Sequence, residues 1–397
     1  MDPSRSQAGR LRELAALFLK IGAISFGGPA AHIALIESEI VSKRQWVTRQ
    51  QFLDMLGAAN LIPGPTSTET AITTGYVRAG WAGLCVAGVC FILPAALITG
   101  AFAWAYVRFG SLPQAASVLA GIKPAVLAVI GIAIWRLGRT AVKKAGLAVL
   151  GAASLAAFLL GVNPIVILFG GGLIGMVALR ASSIRTSAAL ILPEMWKRPF
   201  SLSFRTLIVA AAVPASGAVA MRPSVVRIGL FFLKVGTVLY GGGYVLLAFL
   251  EQGLVRQHAW LTQQQLLDAV AIGQFTPGPV LSTATFIGYI LGGVPGAAIA
   301  TVGIFLPSFF YVALLAPVLF RLRESPWIGA FLDSVNVCAV ALMAGVTSRL
   351  AIDALRGWPS WIICAVSLAV LLRWKVSPMW VVLGGGIAGL LLTLLHL

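Results

Sequence analysis

Apolar residues fill this chain in runs of about 20, the length an α-helix needs to cross a bilayer, separated by short polar or charged connections. In the first half the runs fall at 12–36, 50–76, 79–107, 114–135, 145–161 and 163–179. In the second half they fall at 226–250, 264–290, 293–320, 329–348, 359–372 and 377–396. Between them lies a basic, proline-containing connector that ends in LIVAAAVPASGAVAM, a run short for a span. The pattern predicts an all-α polytopic membrane protein.

Two runs are broken near their centres, by Pro63-Gly64-Pro65 and by Pro277-Gly278-Pro279. Proline lacks an amide hydrogen and restricts the residue before it, so neither run continues as one helix. The two breaks are copies of each other. Residues 18–65 align with 232–279 at a constant offset of 214, pairing Phe18, Lys20, Gly22, Gly27 and Gly28 with Phe232, Lys234, Gly236, Gly241 and Gly242. Glu37, Trp46, Thr48 and Asp54 recur as Glu251, Trp260, Thr262 and Asp268. A one-residue deletion then pairs Gly75-Tyr76 with Gly288-Tyr289 and Pro94 with Pro307. The chain therefore reads as one unit duplicated: an N-terminal transport repeat at 1–180, a connector at 181–221 and a C-terminal repeat at 222–397.

If the short connector run crosses the membrane, there are about thirteen transmembrane helices and the second repeat is inverted. If it does not, there are twelve and the repeats are parallel. Both versions place most Lys and Arg on the cytoplasmic side with the N-terminus inside, so charge orients the chain without separating the two. We expect the inverted form, because inverted repeats bring equivalent broken helices together at the membrane midplane.

Composition sharpens this reading. The chain of 397 residues is 59% hydrophobic and 10% charged, against about 25% charged for a soluble domain. A formal net charge of +17 would suggest nucleic acid in a soluble protein; here it reflects the basic loops of a membrane protein, and no nucleic-acid partner is expected. Residues 1–13 are polar and basic and lead directly into a full span, so no cleavable signal is expected. Cys85, Cys90, Cys338 and Cys364 stand singly within apolar runs and form no CxxC pair, so neither metal nor disulfide is expected, nor any cofactor. Gly170-Gly171-Gly172-x-x-Gly175 and Gly384-Gly385-Gly386-x-x-Gly389 follow no strand and precede no Lys-Ser/Thr. They read as helix-packing glycines.

The candidate site residues cluster at the interruptions. After each Pro-Gly-Pro break a helix starts, and its free N–H groups and positive dipole end suit an oxyanion. Thr66, Ser67 and Thr68 in the first copy, and Ser282 in the second, add hydroxyl donors; Asn60 and Gln274 add amides. Gly27-Gly28-Pro29 and Gly241-Gly242-Gly243 interrupt the first run of each half, exposing backbone N–H groups to an anion or serving as packing notches. Lys20 lies about 13 Å into the first run at 1.5 Å per residue, and Lys234 repeats it. Such lysines face a cavity or partner, or snorkel to the interface. Lys123 has Asn336 as its repeat counterpart. Glu69 directly follows the first break and has no acidic counterpart; a lone carboxyl beside an anion site can carry the proton of a coupled cycle. His32 is a lesser candidate for that role.

FGGP in the first run, IPGP in the second, the TPGP counterpart and the duplication together resemble the chromate ion transporter family in its long, two-domain form, over nearly the whole chain. The resemblance implies an inner-membrane protein of thirteen spans with oppositely oriented halves. It also implies export of chromate from the cytoplasm by proton-driven antiport, giving chromate resistance. Its signature positions here are Gly27, Gly28, Pro29, Pro63, Gly64, Pro65, Pro277, Gly278 and Pro279; Gly243 departs from the pattern where the first half has Pro29. The residues alone reach a secondary transporter of an oxyanion, and sulfate shares chromate's shape and charge. A remote alternative is an intramembrane enzyme using Lys20 and Glu69, against which the duplication argues. Whether the protein works as a monomer or a homodimer is open.

Overall fold

Helix boundaries follow local sequence signals, and the same signals recur in both halves. The computed structural model describes residues 6–26, 28–110, 112–188, 223–240, 245–315, 326–374 and 376–394. The short connector run expected as an extra span, together with Gly27, Gly241 and Gly242, lies outside the described residues. The hydroxyl of Ser6 accepts from the Gly9 N–H at 3.2 Å and caps α1 (Gln7–Ile24). Gly28 opens α2 (Gly28–Glu37), which runs on as a π-helical turn, Ser38–Lys43. Thr48 and Gln51 form a capping box for α3 (Arg49–Ala59). The first break follows, and then α4 (Thr66–Phe109), α5 (Pro113–Ala141), α6 (Ala145–Leu159) and α7 (Pro164–Ala188).

The second half repeats this order with α8 (Val225–Val238), α9 (Leu246–Leu250) and a π-helix at Glu251–Gln257. Thr262 and Gln265 form the matching capping box for α10 (Gln263–Phe275). After the second break and one 3-10 turn come α11 (Thr283–Leu315), α12 (Pro326–Ala354), α13 (Trp358–Arg373) and α14 (Pro378–Leu394). Even the turn before each capping box is the same, since Gln45 and Ala259, equivalent in the repeat, both take positive φ, 50° and 49°.

Four of the described helices are long and apolar enough to cross a membrane: Thr66–Phe109, Ala115–Ala141, Val280–Leu314 and Pro326–Ala354. Two of them are not straight. α4 turns back at Ala79 and Gly80, and α11 at Gly292 and Gly293, with nearly identical dihedrals (Gly80 φ 65°, ψ −148°; Gly293 φ 62°, ψ −151°). That backbone region is open essentially to glycine alone. The two limbs then cross in contact: a Cβ on Gly75 would come within 2.7 Å of the Gly83 carbonyl carbon, and one on Gly288 within 2.8 Å of that of Gly296. The runs expected as the single spans 50–76 and 264–290 are therefore each divided between a short helix and the first limb of the next. With 11 residues, α3 extends only about 16 Å, about half the hydrocarbon thickness of a bilayer. The run 12–36 is likewise divided between α1 and α2, because Ser25 leaves the helix at φ −83°, ψ 106°.

The halves are interlocked. α13 and α14 of the second half pack on α5 of the first, while α6 and α7 of the first pack on α12 of the second. The Gly-Gly-Gly-x-x-Gly segments supply these contacts, as expected of packing glycines: a Cβ on Gly385 would lie 2.7 Å from the Gly121 carbonyl oxygen, and one on Gly172 2.6 Å from the Val335 side chain. The equivalent helices α5 and α12 lie side by side and run in opposite directions, since Lys143 meets Asp333 at 2.7 Å while Gly138, earlier in α5, faces Val340, later in α12. The main buried core crosses this boundary, joining Ile92, Val126 and Phe158 to Phe232, Phe286 and Leu342.

Candidate functional site

The first break is a buried polar site. Pro63, Gly64 and Pro65 are buried, and Pro65 stands at the N-cap of α4 with no side chain to cap it. Its carbonyl accepts from the Thr68 and Glu69 N–H groups at 2.8 and 3.1 Å. Gly64 has φ 145°, and a Cβ there would run into the Glu69 carboxyl, whose carbon lies 3.3 Å away, and into the Ser308 hydroxyl. Ser308 belongs to α11, so the break is closed over by the opposite half. Thr66 donates to the Asn60 amide oxygen at 3.2 Å, tying the two sides of the break together.

This region holds most of the buried side-chain polar atoms that lack a hydrogen-bond partner among the described residues. They are both carboxylate oxygens of Glu69 and the hydroxyls of Ser25, Thr68, Thr73 and Ser308. Glu69 itself is fully buried. Buried polar groups are ordinarily bonded, and each exception calls for an explanation such as a ligand, ion or water. Thr68 and Glu69 stand in the first turn of α4 and Ser308 faces Gly64, so unpaired oxygens gather at this helix N-terminus.

A cavity of about 530 Å³ opens onto the same break, lined by Pro29, Asn60, Gly64 and Thr66. Its other walls carry Tyr240 from the second half, Arg136 and Thr140 from α5, and Lys143 just after α5. Lys143 is paired with Asp333. Arg136 has no side-chain ion pair or hydrogen bond among the described residues and is exposed, so it offers the cavity an uncommitted cation.

The second break is built differently although its sequence is a copy. The Gly278 N–H donates to the Ser25 carbonyl at 2.9 Å, and a Cβ on Gly278 would lie 2.7 Å from that of Ala95. Ala95 is the counterpart of Ser308, so here a methyl closes the break instead of a hydroxyl. Ser282, near the place of Glu69, is satisfied by the Thr99 hydroxyl at 3.2 Å. Pro277 and Pro279 are buried, and a cavity of about 20 Å³ lies beside Gln274, roughly room for one water.

Ser25 joins the two breaks. Its carbonyl also takes a bond from His32 Nε2 at 3.2 Å, which makes that nitrogen the donor. His32 Nδ1, 3.3 Å from Ser67 Oγ, is then the acceptor. A continuous chain thus runs from Gly278 through Ser25 and His32 to Ser67 at the start of α4.

Lys20 and Lys234 stand apart from both breaks. The Lys20 side chain is 60% exposed and lies 3.9 Å from Glu39, while Lys234 lines a separate cleft. Lys123 instead is buried, 3.1 Å from Asp268 across the halves, with Tyr106 donating to the same carboxylate at 2.8 Å. Sequence reasoning missed Ser308, Tyr240 and Arg136. The one legible signal was the loss of symmetry between Ser308 and Ala95 beside the paired prolines Pro307 and Pro94.

The profile of the family described as chromate transporter matches the chain twice, at residues 12–176 and 226–390. The chain is 34% identical over 389 residues to the chromate transport protein of Cupriavidus metallidurans, covering 96% of this chain and 92% of that one. It is 32% identical over 374 residues to the probable chromate transport protein of Synechococcus elongatus, covering 92% and 91%. Identity to the chromate transport protein of Pseudomonas aeruginosa is 32% over 392 residues, covering 95% and 91%. No solved structure gives a significant match. With two profile matches that together span most of its length and relatives aligned almost end to end, the chain belongs to the chromate transporter family.

Proposed function

We propose that this protein exports chromate from the cytoplasm across the bacterial inner membrane, driven by the proton gradient, and so confers chromate resistance. The transport units are the repeats at 1–180 and 222–397, inverted with respect to each other and joined by the connector at 181–221, with the N-terminus cytoplasmic. The opposite courses of α5 and α12 support the inversion. The electrical part of the gradient already favours export: about 2.3 kcal/mol per charge per 100 mV gives a departing dianion about 4.6 kcal/mol.

One observation carries the site assignment: the fully buried Glu69, with neither carboxylate oxygen bonded among the described residues, faces Gly64 and Ser308 at a helix N-terminus beside the 530 Å³ cavity. The oxyanion binds there, to the Thr66 and Ser67 N–H groups that open α4 and to the hydroxyls of Thr68 and Ser308, which have no partner among the described residues, and Arg136 draws it into the cavity. Glu69 carries the proton, because it is fully buried and no cation among the described residues holds it ionised. The second break holds the halves together rather than binding substrate.

A second reading rests on the same carboxyl. A dianion and a carboxylate repel, so Glu69 takes its proton together with the anion rather than in exchange for it. That sign is co-transport, which would carry an oxyanion such as sulfate inward. Labelled chromate in energised everted vesicles separates the two. Export predicts accumulation that disappears when the membrane potential is collapsed, and a Glu69→Gln variant that still exchanges chromate for chromate without responding to pH. Sulfate accumulation in right-side-out vesicles, with no chromate entering everted ones, selects the second reading. A Glu69→Gln variant matching wild type at every pH would remove Glu69 from the mechanism.

A further inference from the structure

The repeat allows one half to be used as a control for the other, and the charges around the first helix of each half differ. In the first half the carboxylate of Glu39, almost fully buried, gathers the basic groups around it: Lys43 at 2.9 Å, Lys20 at 3.9 Å, and Arg44. Glu13, on the same helix as Lys20, pairs with Arg78 at 3.3 Å. In the second half Lys20 recurs as Lys234 and Arg44 becomes His258, but Glu39 is replaced by Gly253 and Glu13 by Arg227. Lys43 becomes Gln257 and Arg78 becomes Leu291, so Lys234 is the one cation kept; with Arg227 gained and both carboxylates lost, two cations stand where the first half balanced its charges.

In place of the internal carboxylate there is a cleft of about 550 Å³, lined by Arg227, Lys234, Gln252, Gln257, His258 and Asn163 among others, with no Asp or Glu among the described residues of its wall. The nearby acid, Glu251, is already committed to Arg256 at 2.5 Å and Arg349 at 3.5 Å. His258 stacks on Trp260 at 4.6 Å, as Arg44 lies over Trp46 at 5.7 Å in the first half. Burial first, and then the charges of Lys234 and Arg227, hold the His258 imidazole below the usual histidine range. Like charges gathered without a counter-charge repel one another unless an anion joins them. The ring of Phe231 lies where a Cβ on Gly253 would project, so this chain cannot readily supply its own carboxylate from that position.

The cleft is amphipathic along one stripe of α8. Arg227 and Lys234 are seven residues apart, about 10 Å along the helix, and Leu230, Val235 and Val238 line the wall with them. Basic groups above an apolar wall, beside a tryptophan of the kind that settles at headgroup level, fit a phosphodiester with acyl chains better than a free ion. We propose that this cleft binds the headgroup of an anionic phospholipid, its phosphate held between Arg227 and Lys234 where the first half carries Glu39. The site is separate from the break cavity and does not depend on the transport reading.

The test is thermal unfolding of the purified full-length protein in maltoside detergent with added short-chain phosphatidylglycerol, phosphatidylcholine or inorganic phosphate. Phosphatidylglycerol is expected to raise the Tm saturably and phosphatidylcholine to leave it unchanged. The apparent affinity should weaken about fivefold per cation removed in Arg227→Gln and Lys234→Gln, and stay unchanged in Lys20→Gln. Arg227→Glu, which restores the acid of the first repeat, should abolish the response. Both side chains are exposed, so the variants' unliganded Tm should match wild type and report intact folding. A saturable, Lys234-dependent response to inorganic phosphate equal to that of the lipid would overturn the lipid as the source while keeping the anion site. A phosphatidylglycerol response that is absent, or that survives Arg227→Glu, would overturn the proposal.

Discussion

Replacing Lys123 by methionine tests the contact that ties α5 of the first half to α10 of the second. Lys123 and Asp268 are 9% and 3% exposed and sit 3.1 Å apart. At that distance and an effective dielectric of about 20, their attraction is about 5 kcal/mol before desolvation is counted. What the variant loses, however, is set by what it leaves behind. Asp268 would keep one strong bond, from the Tyr106 hydroxyl at 2.8 Å, and its Oδ1, which Lys123 holds by charge rather than by an aligned hydrogen bond, would face an apolar wall. Stranding one partner of a buried pair costs roughly 3–5 kcal/mol, so Lys123→Met should lower the unfolding midpoint in detergent by about 4–6 °C. Lys123→Met combined with Asp268→Asn retains a partner for Tyr106 and strands no charge, so it should recover to within about 1–2 kcal/mol of wild type. The measurement is a double-mutant cycle on the four proteins. Losses that simply add in the double variant would refute the pairing.

Gly64→Ala forces a side chain into φ 145° and against Glu69 and Ser308, so chromate flux should fall to background while the protein still reaches the membrane; wild-type flux per inserted molecule would contradict the site. Arg136→Gln removes the uncommitted cation of the break cavity and should raise the KM for chromate about tenfold, the worth of one charged hydrogen bond of about 1.5 kcal/mol, with kcat little changed. Gly80→Ala meets no atom within 4 Å, so its cost is conformational alone, about 1–3 kcal/mol. Gly80→Ser should lower the Tm equally, and Gly293→Ala should repeat the effect in the second half.

Much of the fold was legible because it is written locally. Apolar runs, Thr-x-x-Gln capping boxes and Pro-Gly-Pro interruptions each act within a few residues, so the helices and their breaks lie close to where the pattern placed them. The duplication was equally plain, since Trp46, Thr48 and Asp54 recur at a fixed spacing as Trp260, Thr262 and Asp268. Hydropathy failed where a bend mattered more than apolarity. The run 50–76 reads as one span by length and overall apolarity, yet Gly64, and then Gly80 just beyond its end, cut it into pieces shorter than a membrane.

The candidate site was legible only in part. Sequence alone determined that this chain is a duplicated helical membrane protein, that each half carries a broken helix ending in an anion-suited N-terminus, and that Glu69 is an acid without a counterpart. Tertiary structure alone decided that the two breaks are unequal. That difference comes from residues more than 180 positions away: Ser308 closes the first break with an unpaired hydroxyl, while Ala95 and Thr99 seal the second. It likewise decided that Lys20 and Lys234 stay outside while Lys123, which has no counterpart lysine, is buried on Asp268. Periodicity and local motifs record which face of a helix is apolar. They do not record which helix lies against it, because that is settled by how the whole chain packs.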